Sequence, residues 1–239
     1  MINEVRAAVL AVVNKNNYGY ITPGDFNLYA YQAQMDLFTE YFDNYNTLVA
    51  AENIRRVGTE YAGLKQIAEE VIDSFRVEFT PTLSGGFFLI PANCYYLTNV
   101  YYGSRDVERV SQSKLNMLNT SNITAPSVTF PAYTMTGSPN LVSDTLDSKI
   151  KVYPATITTG VTISYVRYPK TPNWTYLSFG PQNDPIFNPT ALDYQDFELP
   201  DSDIPNLVSK ILQYAGVSIR EENVYAFGTK LEQKGAQPQ

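Results

Sequence analysis

The spacing of prolines is the feature that most limits what this chain can fold into. A proline inside a helix removes a backbone hydrogen bond and clashes with the preceding turn. Between Thr80 and Gly180 prolines recur so often that long helices are excluded there. The same stretch is rich in Thr, Ser, Asn, Tyr and Val, which favours strands and turns. The prolines stand at positions 81, 91, 126, 131, 139, 154, 169 and 172.

Short apolar runs in this region predict β-strands. The clearest is Val161–Tyr168, where apolar residues at 161, 163 and 165 alternate with Thr162 and Ser164. Thr158-Thr159-Gly160 predicts a turn that joins this strand to the preceding one as a hairpin. Such spacing is typical of a small antiparallel sandwich or barrel. The runs are Gly86–Ile90, Tyr95–Tyr102, Val128–Met135, Ile150–Tyr153 and Val161–Tyr168.

Helical spacing of apolar residues marks the N-terminal part of the chain. Apolar residues at 2, 5, 9, 12 and 13 predict a first helix, which Asn14–Tyr20 interrupts. Thr22-Pro23-Gly24-Asp25 predicts a second helix start, since Thr caps, Pro suits the first position and Asp suits the first turn. Its apolar face is expected at 26, 29, 30, 33, 37 and 41. A third helix is expected near Leu64–Phe75, with its stripe at 64, 67, 68 and 71.

Helical patterns return after an irregular stretch at Asp184–Leu199. Asp201 to Asp203 are expected to cap a helix whose apolar stripe runs from Ile204 to Ala215. A shorter amphipathic stretch, Val224–Leu231, follows.

The order of helices, strands and helices predicts an α+β chain. We expect a helical bundle formed by the N- and C-terminal helices, with an antiparallel β-sandwich or barrel inserted into it. The bundle would comprise residues 1–79 and 184–231, and the inserted β domain residues 80–183. Residues 232–239 have no apolar anchor and are expected to form a flexible tail.

Charge and cysteine content exclude several classes of protein. The chain carries a net charge of −7, but residues 81–180 hold seven basic and four acidic residues, a net +3, which leaves −10 for the rest. No segment is basic enough to predict nucleic-acid binding. The apolar stretch Ala7–Val13 is too short to span a membrane. The single cysteine and the missing secretory signal predict folding in a cytosol.

The residues needed for common catalytic chemistry are missing. The chain has no histidine, one cysteine and no glycine-rich phosphate loop, so no catalytic, cofactor-binding or metal-binding residue is predicted. Glu69, Glu70 and Asp73 are interpreted as a solvated acidic helix face, and Asp201 and Asp203 as a helix cap. We therefore expect that the chain is not an enzyme.

Cys94, Trp174 and three asparagines each allow a structural and a functional interpretation. Cys94 is expected to be a buried structural residue rather than a nucleophile. Trp174 is expected to plug one end of the β core, with a sugar-binding platform as the alternative. Asn119, Asn122 and Asn173 lie in Asn-x-Ser/Thr triplets, which are read as chance matches rather than glycosylation sites.

Four segments together carry a family resemblance. They are Gly19–Asn27, Ala33–Phe38, Ile150–Trp174 and Asp196–Glu221. With these the chain resembles a virion structural protein of crAss-like phages of gut Bacteroidota. More broadly, it is similar to the head-to-tail adaptor or tail-tubular ring proteins of short-tailed phages.

The resemblance implies a function without catalysis. It implies a homo-oligomeric ring, a dodecamer, at the head–tail interface of the virion, made in the host bacterial cytoplasm. The ring would lie beneath the portal protein, contact other ring or tail proteins, and form a channel through which genomic DNA passes without specific binding. No membrane contact and no catalytic residue is implied. The alternatives are another tail component or a carbohydrate-binding module for host polysaccharide and, third, a carboxylate-dependent glycosidase.

Overall fold

The computed structural model describes residues 1–14, 21–55, 62–140, 145–180, 184–218 and 229–230. Within them the chain is α+β, as the sequence predicts, with five α-helices and eleven strands. A 3-10 turn, Asp201–Asp203, precedes the last helix. In chain order the elements are α1 (Ile2–Asn14), α2 (Pro23–Arg55), α3 (Ala62–Ser74), β1 (Arg76–Phe79), β2 (Leu83–Ser84), β3 (Phe87–Leu89), β4 (Cys94–Tyr102), β5 (Arg105–Asp106), β6 (Glu108–Arg109), α4 (Gln112–Leu118), β7 (Ala132–Asn140), β8 (Thr145–Tyr153), β9 (Val161–Arg167), β10 (Tyr176–Phe179), β11 (Asp184–Phe187) and α5 (Ile204–Ser218).

The chain divides into two compact units. The first unit joins Met1–Ile72 to Pro169–Gln239, and the second unit is Asp73–Tyr168. The first unit therefore uses both ends of the sequence and contains α1, α2, α5 and the hairpin β10–β11. The second unit contains strands β1 to β9 and the short helix α4.

Helix α2 begins where the sequence predicts it. The Asp25 backbone N–H donates to Thr22 Oγ1 at 3.1 Å, and the Thr22 hydroxyl donates to the Asp25 carboxylate at 2.6 Å. This cap satisfies one of the backbone donors that every helix leaves unpaired at its start. The apolar face of the helix is then buried, with Phe26, Ala30 and Ala33 almost fully enclosed.

Helix α5 buries the stripe that its sequence predicts and packs against α1 and α2. The sequence predicts that Asp201 to Asp203 cap this helix, and Asp203 directly precedes its first residue, Ile204. These residues form a 3-10 turn, and no side-chain hydrogen bond caps its start at Pro200. Asp203 is buried and accepts a hydrogen bond from the Tyr41 hydroxyl of α2 at 2.5 Å. Its carboxylate also accepts from the Asn206 side chain in the first turn of α5 at 3.4 Å, so Asp203 contacts both α2 and the start of α5.

The second unit consists of two sheets that share one hydrophobic core. The strand order is β1-β9-β4-β5 in one sheet and β2-β3-β8-β7-β6 in the other. Described pairings are antiparallel except for β6 with β7, which is parallel. Phe88, Val100, Ile150 and Ile163 come from both sheets and belong to a single buried cluster. The described strands form no closed barrel, so that part of the prediction is not observed.

The predicted hairpin around Thr158-Thr159-Gly160 is wrong. Strand β8 pairs with β3 and β7, whereas β9 pairs with β1 and β4 in the other sheet. The segment from Pro154 to Gly160 therefore crosses between sheets, and it places Ile157 in the shared core. Alternation of apolar residues shows that a segment is a strand, but it does not show which strand lies next to it.

Other differences concern single elements. Helix α4 lies in a region predicted to contain strands and turns. Strand β11 of the hairpin β10–β11 lies in the stretch Asp184–Leu199, which was predicted to be irregular. Ile67, predicted in the apolar stripe of α3, is 58% exposed. Leu64 and most of Val224–Leu231 lie outside the residues whose side chains are described, as does the predicted tail 232–239.

Candidate functional site

The carboxylates singled out from the sequence lie on exposed surface. Glu69, Glu70 and Asp73 are all exposed residues of α3. The Glu70 carboxylate accepts from the Gln66 side chain at 2.9 Å, and Asp73 forms an ion pair with Arg76 at 2.8 Å. These contacts fit the predicted solvated acidic face. In the described part of the chain, no group of three acidic or cysteine side chains is arranged to hold a metal ion.

Trp174 is 1% exposed and belongs to the first unit. Its indole N–H donates to Asn3 Oδ1 at 3.0 Å, and the Arg6 guanidinium lies 3.8 Å from the ring centroid. Tyr176 and Phe187 stack on the indole with centroid separations of 5.8 Å. Trp174 therefore joins α1 to the hairpin β10–β11 and does not plug the β core. It also offers no open face to a sugar ring, so the platform interpretation is wrong.

The three asparagines of the Asn-x-Ser/Thr triplets either make contacts within the fold or are exposed. Asn173 accepts from the Asn27 side chain at 2.7 Å and donates to the Asp193 carbonyl oxygen at 2.8 Å. Asn119 ends α4, where its backbone N–H donates to the carbonyl of Leu115 at 3.0 Å. Asn122 is exposed.

Asp196 fixes the first turn of α1. Its carboxylate accepts from the backbone N–H groups of Ile2 at 2.7 Å and Phe197 at 2.8 Å. It also accepts from the Tyr194 hydroxyl at 3.2 Å. Burial and the neighbouring Asp196 carboxylate both raise the pKa of Tyr194. A negative charge at a helix N-terminus is stabilising, so Asp196 acts as a cap supplied from a distant part of the chain.

Gln34 is the buried polar centre of the first unit. Its side-chain amide donates to the Lys170 carbonyl oxygen at 2.8 Å and accepts from the Glu198 backbone N–H at 3.1 Å. The Glu198 carboxylate in turn accepts from the Lys170 backbone N–H at 2.7 Å. The segments around Lys170 and Glu198 are two of those that carry the family resemblance, and here they serve packing and hydrogen bonding.

The outer face of the hairpin β10–β11 is an exposed apolar surface. Leu177 pairs with Ile186 across the hairpin, on the face opposite to the one that stacks on Trp174. Leu177 is 61% exposed, Phe179 73% and Ile186 52%. Contiguous apolar side chains left in water on one face of a two-stranded sheet are typical of an interaction surface. We call Leu177, Phe179 and Ile186 the hairpin face.

A second candidate surface lies in the second unit, along a strand edge that the described residues leave open. Strand β4 pairs with β9 from Cys94 to Tyr102, but on its other side β5 pairs only with Tyr101 and Tyr102. Next to this open edge is a cleft of about 510 Å³, whose far wall comes from β6, β7 and β8. A smaller cavity of about 290 Å³ continues along β4 to Val100. We call this gap between β4 and β6 the seam.

The seam combines a cation, a thiol and aromatic side chains. Arg109 of β6 lines both cavities, Cys94 and Tyr96 line the larger one, and Thr98 lines the smaller one. Cys94 was predicted to be buried, and the structure shows it half-buried. Burial raises the pKa of its thiol. Burial also raises the pKa of Tyr133, while the positive charge of Arg109 acts in the opposite direction.

Two polar groups of the seam have no described partner. Among the described residues, Arg109 takes part in no ion pair, and the buried Thr98 hydroxyl has no hydrogen-bond partner. By contrast, the neighbouring Glu108 is paired with Lys114 at 2.8 Å. An unpaired buried hydroxyl costs free energy that a bound group could recover.

A search against protein-family models finds no match, and a search of curated proteins finds none either. Of the helices in the described residues, none has both the length and the apolar character needed to cross a membrane.

Sequence reasoning missed most of the residues that define these surfaces. A signal existed for Gln34, because it occupies a position in the apolar stripe of α2 between Ala30 and Leu37. The strands of the hairpin face had weaker signals, since Phe179 and Ile186 stand beside Gly and Pro. For the seam, the sequence indicates Cys94 and most of strand β4, but the two-residue strand β6 and the cavities beside β4 have no sequence signal.

Proposed function

We propose that this chain is a structural subunit of a tailed-phage virion, a head-to-tail adaptor ring protein beneath the portal. Two lines of argument support the proposal. The first is the resemblance of Gly19–Asn27, Ala33–Phe38, Ile150–Trp174 and Asp196–Glu221 to such proteins. The second, which carries it, is the exposed apolar hairpin face, since a monomer gains nothing from leaving these side chains in water.

The ring architecture is part of this proposal. The first unit, Met1–Ile72 with Pro169–Gln239, would act as the helical part that builds the ring, and the second unit, Asp73–Tyr168, as an inserted β-sandwich. Identical subunits would meet head-to-tail, so that the hairpin face of one copy lies against a different surface of the next and the ring closes. A dodecamer is the stoichiometry that the resemblance implies. The tail 232–239 would order on a neighbouring subunit or ring.

The proposed channel is acidic. Outside residues 81–180 the chain carries a net −10, and an acidic wall repels phosphate, so DNA would pass without adhering. Portal protein and other ring or tail proteins would be the partners, in the virion rather than at a membrane. A ring whose bore is lined by Lys and Arg would contradict this part of the proposal.

Mass photometry of the full chain, alone and with portal protein, tests the ring. We expect closed rings in at least one of the two conditions. Changing Leu177, Phe179 and Ile186 together to Ser should leave monomers in both, because the hairpin face no longer gains from burial. Leu28→Ser is the matched control, since Leu28 is a similarly exposed residue of the same unit.

Two outcomes would count against the proposal. One is a wild-type chain that stays monomeric both alone and with portal protein. The other is a triple-serine variant that remains folded by circular dichroism and still assembles like the Leu28→Ser control.

A further inference from the structure

We propose that the seam binds an extended strand of a partner protein that carries an acidic side chain. The inference does not depend on ring assembly, and it concerns the second unit alone. Three observations carry it: the open edge of β4, the two cavities beside that edge, and the unpaired Arg109.

The open edge of β4 favours a partner segment in an extended, strand-like conformation. Over Tyr95–Asn99 the described chain provides β4 with a neighbour on the β9 side only, with register shifts against β9 between Cys94 and Tyr96 and between Leu97 and Asn99. The Cys94 N–H already donates to the Pro91 carbonyl oxygen at 3.0 Å. An unpaired strand edge presents a row of backbone N–H and C=O groups, and an added strand satisfies them. At about 3.3 Å per residue, an edge of this length takes a strand of roughly five residues.

The two cavities match the side chains of such a strand. Alternate residues of a strand point to opposite faces, so an occupant would place side chains in turn toward and away from the cleft. The wall of the larger cleft of about 510 Å³ is mixed, and its apolar residues, which include Leu97 and Met135, suit an aliphatic or aromatic side chain. The smaller cavity lies at the end of the strand nearest Val100.

Arg109 selects the charge of the occupant. It is the charged residue among those that line the larger cleft, and it has no ion pair in the described part of the chain. In the smaller cavity Asp106 also lines the wall, so an added carboxylate is favoured at the larger cleft. A planar guanidinium binds a carboxylate through two parallel hydrogen bonds, which gives both register and affinity.

The backbone edge favours a polypeptide over a polysaccharide. Tyr95 and Tyr96 are exposed and could contact a sugar, but a sugar would leave the backbone groups of the β4 edge unpaired. A strand pairs with them and places its acidic side chain beside Arg109 at the same time.

The first experiment selects binders from an mRNA-display library of random linear peptides, about ten residues long to cover the edge with flanks. The immobilised target is the full chain. We expect enriched sequences with alternating apolar residues and an Asp or Glu. Enrichment of no sequence, or of sequences without an acidic residue, would overturn the proposal.

The second experiment places the selected peptide. Cys94 is the sole cysteine of the chain and lines the cleft, so its alkylation by iodoacetamide reports on the seam alone. A bound strand should slow that alkylation and should slow hydrogen exchange of the backbone amides at Tyr95–Asn99. Binding without slower exchange there would show that no strand is added.

The third experiment tests the charge. Arg109→Glu should weaken binding of an acidic peptide on the order of tenfold by fluorescence anisotropy, and Arg109→Lys should weaken it less. Arg109 is exposed, so both variants should fold, which unchanged thermal unfolding would verify. Arg76→Glu is the matched control, because Arg76 lies in the same unit and outside the seam. Equal affinities for Arg109→Glu and Arg76→Glu would contradict the proposal.

Discussion

At the scale of single residues, buried polar side chains hold the first unit together. The Tyr41 hydroxyl of α2 donates to the buried Asp203 carboxylate in the 3-10 turn, and the Tyr214 hydroxyl of α5 donates to Asp36 of α2. Burial raises the pKa of Tyr41, and the hydrogen bond to Asp203 raises it further. The phenol therefore stays protonated in the folded chain at pH values where a tyrosine in water ionises.

Tyr41→Phe should change how stability depends on pH. An unfolded tyrosine ionises near about pH 10. The pKa of folded Tyr41 is higher, so its contribution is fully present below about pH 10 and is lost as the pH rises above it. Below that pH the variant should be less stable by about 1–3 kcal/mol, because Asp203 loses its partner. Urea unfolding followed by Trp174 fluorescence measures the difference.

The control for this prediction is Tyr31→Phe, which changes an exposed tyrosine of the same helix. The stability difference between wild type and Tyr41→Phe should shrink above about pH 10. A Tyr41→Phe difference that stays constant to about pH 11 would show that Tyr41 does not govern the alkaline loss.

At the scale of elements, rules based on neighbouring residues predicted where helices begin, but they did not predict which strands lie side by side. The start of α2 follows from Thr22 and Asp25 alone, because a cap involves residues three apart in sequence. Strand β8 pairs instead with β3 and β7, and the residues of β8 alone do not indicate these partners. For the same reason Trp174 was wrongly assigned to the β core, and the contact of Asp203 with Tyr41 could not be predicted.

Thr22→Ala should destabilise the first unit by about 1 kcal/mol, the usual cost of losing a helix cap. The change removes the acceptor for the Asp25 backbone N–H and the donor to its carboxylate. Chemical unfolding followed by far-UV circular dichroism measures it. Thr47→Ala is the matched control: Thr47 lies within α2, its hydroxyl donates back to the Asp43 carbonyl, and alanine is the better helix former. Equal losses for both would contradict the capping role.

At the scale of the whole molecule, each unit has its own natural reporter. Trp174 is the sole tryptophan and lies in the first unit, while Cys94 is the sole cysteine and lies in the second. The hydrophobic core of the second unit is formed by its own residues, among them Phe88 and Ile163. The unfolding of each unit can therefore be followed in the unmodified chain.

Core substitutions should separate the two transitions. Leu207→Ala, at a fully buried site of α5, should lower the stability seen by Trp174 fluorescence by about 2–5 kcal/mol. It should leave the denaturant dependence of Cys94 alkylation unchanged. Ile163→Ala, equally buried in β9, should do the reverse. If each variant shifted both transitions by the same amount, the units would unfold as one.

The division of the first unit between the two ends of the chain sets an order for its folding during synthesis. Helices α1 and α2 leave the ribosome early, but α5, against which both pack, follows only after the whole of Asp73–Tyr168. At roughly 5–20 residues per second that intervening stretch takes about 5–20 s to translate. During this interval the second unit can fold, while the apolar stripes of α1 and α2 await their partner and are open to chaperones. Helix α5, which is made after the second unit, thus completes the first unit.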